Sequence, residues 1–179
     1  MVWIKRRDGT TNWTIYAASQ GNTKSCAFGS GAFSTFSMFN STDPTASVFT
    51  LGTDGDFNGS GQTYIAYLFA SVDGISKIGT YTGQGAGYNV DVNCGFTNSV
   101  RFLIIKRTDS TGDWYVFDSV RGIVAGSDPF FLLSSTATPT TSSDMIDPLS
   151  SGFTVTSYAG LTAGLNASGG TYLFYAIAK

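Results

Sequence analysis

The sequence contains no Glu and no His. Without His, most hydrolytic triads, every His-ligated metal site and the commonest general base are out of reach, so an enzyme is the minority reading. All twelve acidic residues are Asp, and Leu is scarce. A chain short of strong helix formers that carries Tyr 9, Phe 14 and abundant Thr suits a pleated surface, which excludes an all-helical fold. Charge of either sign is sparse, at 12% of residues with a net charge of -2, too mild for electrostatic binding to a nucleic acid duplex. The longest apolar runs, such as 64–70 and 114–117, are strand-sized and far below the roughly 20 residues that span a bilayer, so no membrane insertion is expected. Lys5, Arg6 and Arg7 follow the first apolar residues instead of preceding them, the reverse of a secretory signal. The only two cysteines, Cys26 and Cys94, lie far apart without C-x-x-C spacing; they read as reduced, buried thiols, with a single bridge left open.

What is present is 42% apolar residues in a chain of 179, one domain's length with enough material for a core. The chain also resembles itself. Ile4 to Trp13 (IKRRDGTTNW) aligns with Ile105 to Trp114 (IKRTDSTGDW) at a constant shift of 101, and Asn58 to Ala70 aligns with Asn166 to Ala178 at a shift of 108, seven of thirteen positions being identical. A tandem duplication follows, with 1–73 as a first half and 74–179 as a second half, packed as one β unit. In each copy a cluster of turn residues separates two short apolar runs, the composition of a hairpin, and a Gly/Ser turn launches a signature strand, Thr63 to Ala70 or Thr171 to Ala178. These signature strands, which carry Tyr64 and Tyr172, are apolar on both alternating faces, so a covering loop, a second layer or a neighbouring subunit is expected over them. Only the second copy carries a preamble, residues 74–96, read as two strands around a Gly-rich loop. The predicted fold is an all-β, antiparallel β-sandwich, jelly-roll or lectin-like, built from two duplicated halves.

The stretch from Tyr64 to Gly83, containing SKIGTYTG, together with the hairpin from Phe102 to Trp114, containing IKRTDSTGDW, resembles a repeat common in virion proteins of tailed bacteriophages, many of them marine or cyanobacterial. The resemblance covers nearly the whole chain. It implies a β-sandwich, structural or tail-fibre-like, on the surface of a virus particle and made in the bacterial cytoplasm. It implies no catalytic residues.

Candidate sites follow from residue chemistry. Asp54, Asp56 and Asn58 have the D-x-D-x-N-G opening of a calcium loop, although the twelfth position falls on Ile65, which cannot ligate; a plain turn competes, and the second copy has 161–166 in its place. Apart from calcium, no cofactor is expected. Lys5, Arg6, Lys106 and Arg107 occupy equivalent hairpin positions, each pair followed by an Asp, where they serve either as contacts to phosphate or acidic sugar or as modest ion pairs. Tyr88 lies in a Gly-rich loop, placed to stack on a sugar, whereas Trp13 and Trp114 are expected in the core. The Asn-x-Ser/Thr sequences at Asn12, Asn40, Asn58 and Asn166 arise by chance in so Ser/Thr-rich a chain. Paired Asp residues would be the parts of a glycosidase, but no spacing singles out a pair. The expected role is a non-enzymatic surface structural protein, either a tail-fibre or adhesin-type module touching a host-surface glycan, or a capsid decoration or self-assembling fibre protein. Its expected partners are itself, as a homo-oligomer or filament in which an edge of one copy completes the sheet of another, and other virion proteins.

Overall fold

A computed structural model describes residues 1–179 apart from 37, 162 and 163 and from the side chains of 160 and 161. Secondary structure is mostly antiparallel strand; among the described residues helix is confined to α1 (Gly55–Asn58), α2 (Ser157–Leu161) and a single 3-10 turn over Ala18–Gln20. Among the described residues no helix is long and apolar enough to cross a membrane. Residues divide into two compact units, Met1–Phe69 and Ala70–Lys179. The division placed at 73/74 from the sequence lies just beyond this boundary.

In the first unit, β1 (Val2–Arg6), β2 (Thr14–Tyr16), β3 (Lys24–Ala27), β4 (Ser34–Thr35) and β5 (Tyr64–Leu68) form one sheet in the order β4-β3-β2-β1-β5. Strand periodicity decides which side chains share a face. Val2, Ile4 and Tyr16 pack with Met38, Phe39 and Phe57, and Phe36, Phe49, Leu51 and Tyr64 border that core. Among the described residues its cover is therefore drawn from the segment 38–51 and from α1, with Phe36, rather than from a second sheet.

In the second unit, β6 (Ser76–Thr82), β8 (Val100–Arg107), β9 (Trp114–Asp118), β10 (Phe130–Leu132) and β13 (Thr171–Ala178) form a sheet ordered β10-β9-β8-β13-β6. A three-stranded sheet ordered β11-β12-β7, from β7 (Val90–Asn93), β11 (Ile146–Leu149) and β12 (Gly152–Val155), faces it. Leu103, Ile105, Phe117, Tyr172, Phe174 and Ala176 of the large sheet share a buried cluster with Val90, Val92, Ile146, Phe153 and Val155 of the small one, the two-layer core of a β-sandwich.

Pairing registers recur between the units at repeat-related positions. Arg6 lies opposite Tyr64 and Ile4 opposite Ala66, while Arg107 lies opposite Tyr172 and Ile105 opposite Phe174. Ile4 also faces Thr14 as Ile105 faces Tyr115. The preamble forms β6, the neighbour of β13, and β7, in the small sheet. Among the described residues the first unit has no strand in β6's place, so β5 ends its sheet.

Candidate functional site

The two hairpin loops are closed by their own cations. Lys5 Nζ donates to the Thr11 carbonyl at 2.5 Å, and Arg6 Nε donates to Asp8 Oδ1 at 2.7 Å. Asp8 Oδ2 accepts the Thr63 N–H at 3.0 Å, and the Arg7 N–H donates to the Thr63 carbonyl at 2.8 Å, so the loop is tied to the start of β5. The hairpin between β8 and β9 has the same arrangement: Lys106 Nζ reaches the Gly112 carbonyl at 2.6 Å, and Arg107 binds Asp109 through Nε and Nη2 at 3.1 and 3.2 Å. Asp109 in turn accepts the Thr171 N–H at 3.0 Å, and the Thr108 N–H donates to the Thr171 carbonyl at 2.9 Å. The hydrogen bond from Arg107 holds the Asp109 carboxyl down at about 2, and Arg6 likewise lowers Asp8.

This corrects the placement of Lys5 and Lys106 as surface contacts. Lys106 is 0% exposed and Lys5 half-buried, because an ammonium that satisfies loop carbonyls points into the hairpin rather than outward. Arg6 and Arg107 reach solvent, but each guanidinium is already held by the Asp two residues on.

At the proposed calcium loop, Asp54 serves as the N-cap of α1, its Oδ1 accepting the Asp56 N–H at 2.8 Å. The Asn58 amide turns back to the Gly52 carbonyl at 2.7 Å, so Asp54 and Asn58 both serve the local backbone, while Asp56 is half-buried. Among the described residues no three acidic or sulfur side chains converge as a metal-ligating group. The second-copy counterpart, 161–166, falls partly outside the described residues.

Tyr64 and Tyr172 have equivalent structural roles. Each hydroxyl accepts a backbone N–H five residues upstream, from Gly59 at 2.8 Å and from Ala167 at 2.9 Å, clamping the turn that launches its strand. The tryptophans differ. Trp114 is 1% exposed, but Trp13 is only half-buried: its ring stacks on Tyr67, at 5.6 Å between centroids, and Tyr67 is itself 48% exposed. Cys26 and Cys94 are buried and not joined by a disulfide, and burial pushes the Cys94 thiol up to about 11.

Tyr88 is 64% exposed on the loop between β6 and β7, between Gly87 at φ +88° and a well-anchored Asn89. The loop is held from below by Asn166, which is fully buried. Its Oδ1 accepts the Gln84 N–H at 2.7 Å, and its Nδ2 donates to the carbonyls of Tyr88 at 2.8 Å and Thr156 at 3.1 Å. Asn89 Oδ1 accepts the Ser157 N–H at 2.7 Å, so the segment carrying exposed Tyr158 borders the one carrying Tyr88. The result is an aromatic ring presented to solvent by a backbone with fixed hydrogen bonds.

Sequence reasoning singled out neither Asn166's clamp nor Asp128. The signal for Asn166 was its identity with Asn58 in the repeat, since both turn a side-chain amide back onto backbone carbonyls. Asp128 has no such signal. It is 0% exposed and accepts N–H groups from Val124, Met145 and Ile146 at 3.1, 3.0 and 2.8 Å, joining the β9–β10 connection to the start of β11. Burial raises its carboxyl to about 6, against the opposing pull of those three donors.

No curated protein and no solved structure matches the chain. One family model matches, described as Domain of unknown function (DUF7483), over residues 1–179. With its whole length covered, the chain belongs to the DUF7483 family.

Proposed function

We propose that the protein is a non-enzymatic structural protein on the surface of a tailed-bacteriophage particle, a tail-fibre or adhesin-type module that contacts the host envelope. The observation that carries this reading is Tyr88: an exposed ring, rigidly presented on a loop clamped by Asn166, is the chemistry that stacks on the apolar face of a sugar. The resemblance of the SKIGTYTG and IKRTDSTGDW segments to phage virion repeats supplies the setting. The charged hairpin residues fit a scaffold better than a reactive centre, since they hold their own loops.

A second reading, capsid decoration or self-assembling fibre protein, is favoured by one feature, the open apolar edge at β5. Two experiments test the pair. Purified protein is titrated against host-envelope polysaccharide, and antibodies to the chain are applied to purified particles of the phage carrying the gene. Saturable binding that Tyr88→Ala abolishes, with label on the tail, supports the adhesin reading. No binding, with label on the capsid, supports the second. Absence of the chain from particles contradicts both.

A further inference from the structure

Each sheet edge among the described residues carries a device against pairing with another chain, except one. β4 is only two residues long, and β10 is three residues long with a bridge from Phe130 to Thr140. β6 displays exposed Lys77, β7 exposed Asp91, and β11 contains Pro148. Short strands, edge charges and edge proline are the means by which natural sheets avoid strand addition. β5 has none of them. From Gln62 to Val72 the only ionisable side chains are two tyrosines, Tyr64 and Tyr67, and the strand exposes Ile65, Tyr67 and Leu68, the last at 66%. Beside it lies an open depression of about 340 Å³ lined by Thr45 to Phe49 and Leu68.

Among the described residues no strand pairs with one side of β5. Phe69 exchanges both main-chain hydrogen bonds with Met1, at 3.0 and 3.1 Å, and the Thr63 carbonyl accepts from Arg7. Odd-numbered residues therefore bond to β1, and the N–H and C=O groups of Tyr64, Ala66 and Leu68 point away from it. At the repeat-related edge in the second unit, β6 covers β13 in antiparallel register, Tyr172 opposite Tyr81 and Phe174 opposite Gly79. That fit depends on residue size, since a Cβ on Gly79 would come within 2.6 Å of the Phe174 ring. Phe174 corresponds to Ala66, so β5 needs a different complement. One β6 already engaged with β13 does not serve a second edge in the same chain.

We propose that β5 is an assembly edge at which two copies of this chain pair antiparallel about a two-fold axis through Ala66. In this register small Ala66 meets its own copy, Tyr64 lies opposite Leu68 and Ile65 opposite Tyr67. Every outward N–H and C=O of Tyr64, Ala66 and Leu68 finds its partner, and each large side chain meets another on the same face. No like charges are brought together, because the segment contains no Asp, Lys or Arg. The contact is isologous and closes, so its product is a dimer that continues the five-stranded sheet of one copy into that of the next.

The test is sedimentation of the full chain over a wide concentration range, with two variants. The unaltered protein is expected to form a dimer. Leu68→Lys places a cation opposite Tyr64 twice per dimer and should weaken association by about tenfold or more, the factor that ~1.4 kcal/mol produces. Leu68 is exposed, so this variant keeps its fold, as circular dichroism will verify. Ala66→Cys places two thiols about 5.5 Å apart between Cα atoms, inside the roughly 4.4–6.8 Å range of disulfides, and mild oxidation should link position 66 of one copy to position 66 of the other. The native thiols are buried and give little background. A protein that stays monomeric at all concentrations overturns the proposal. So does a dimer indifferent to Leu68→Lys, or an Ala66→Cys dimer that mild oxidation leaves unlinked.

Discussion

β5 and β13 carry closely similar sequence, pair with their hairpin neighbours in the same register, and differ almost completely in burial. In β13, Tyr172, Leu173, Phe174 and Ala176 are buried; in β5, Tyr64 is half-buried and the residues from Ile65 to Leu68 are exposed. The difference lies in what flanks and covers the strand. β13 has β6 on its other side and the β7-β12-β11 sheet over one face, whereas among the described residues β5 pairs with β1 alone and no sheet packs in its core cluster. Alternating apolarity thus records what a strand is suited to face, and only the neighbouring elements decide whether it does.

The largest expected break in this comparison is at the tryptophans. Trp114→Ala should cost about 3–5 kcal/mol in denaturant unfolding, the range for a fully buried aromatic, while Trp13→Ala at its half-open site should cost about half as much. Equal losses would mean that the two hairpins are covered alike. Asp128→Asn comes next. It removes one acceptor from a buried carboxylate holding three N–H groups, at a cost of about 1–3 kcal/mol. It also changes the pH profile. Because the folded-state value near 6 lies above the ordinary 3.8, the stability Asp128 contributes is fully present below about pH 4 and is lost as pH rises through about 6. Melting temperature against pH should therefore decline between about 4 and 6 in the parent and flatten in Asp128→Asn. The smallest effect is at the hairpin clasp. Asp109, held at about 2, contributes stability above pH 3.8 that is lost as pH falls toward 2. The group is largely solvent-exposed, so Asp109→Asn should cost under about 1 kcal/mol at neutral pH, less in high salt.

Much of the fold was legible because the signals were repeated or extreme. Zero Glu with abundant Thr and aromatics marked an all-β chain, and the 101 and 108 shifts located β1, β2, β5, β8, β9 and β13. The cover over the first sheet was not legible, since the sequence around Met38, Phe39 and Phe57 lacks periodicity and Phe57 packs from the four-residue helix α1. For the candidate site, Tyr88 was visible as an aromatic among glycines. Lys106 was not recognisable as buried: a lysine reads as surface unless the carbonyl that receives its ammonium, here Gly112 six residues on, is known to lie within the hairpin. Asp54 and Asp56 looked like ligands because N-capping and ion binding draw on the same short acidic side chains.

The β5 edge is tested most directly by hydrogen exchange at single-residue resolution on the unaltered chain, comparing Tyr64, Ala66 and Leu68 with Tyr172, Phe174 and Ala176. The β13 amides point at β6 and should be protected equally at every protein concentration. The three β5 amides should exchange rapidly in dilute solution and become protected as concentration rises and the edge fills. Protection of β5 that is independent of concentration, or exchange that stays rapid in concentrated solution, would contradict pairing through this edge.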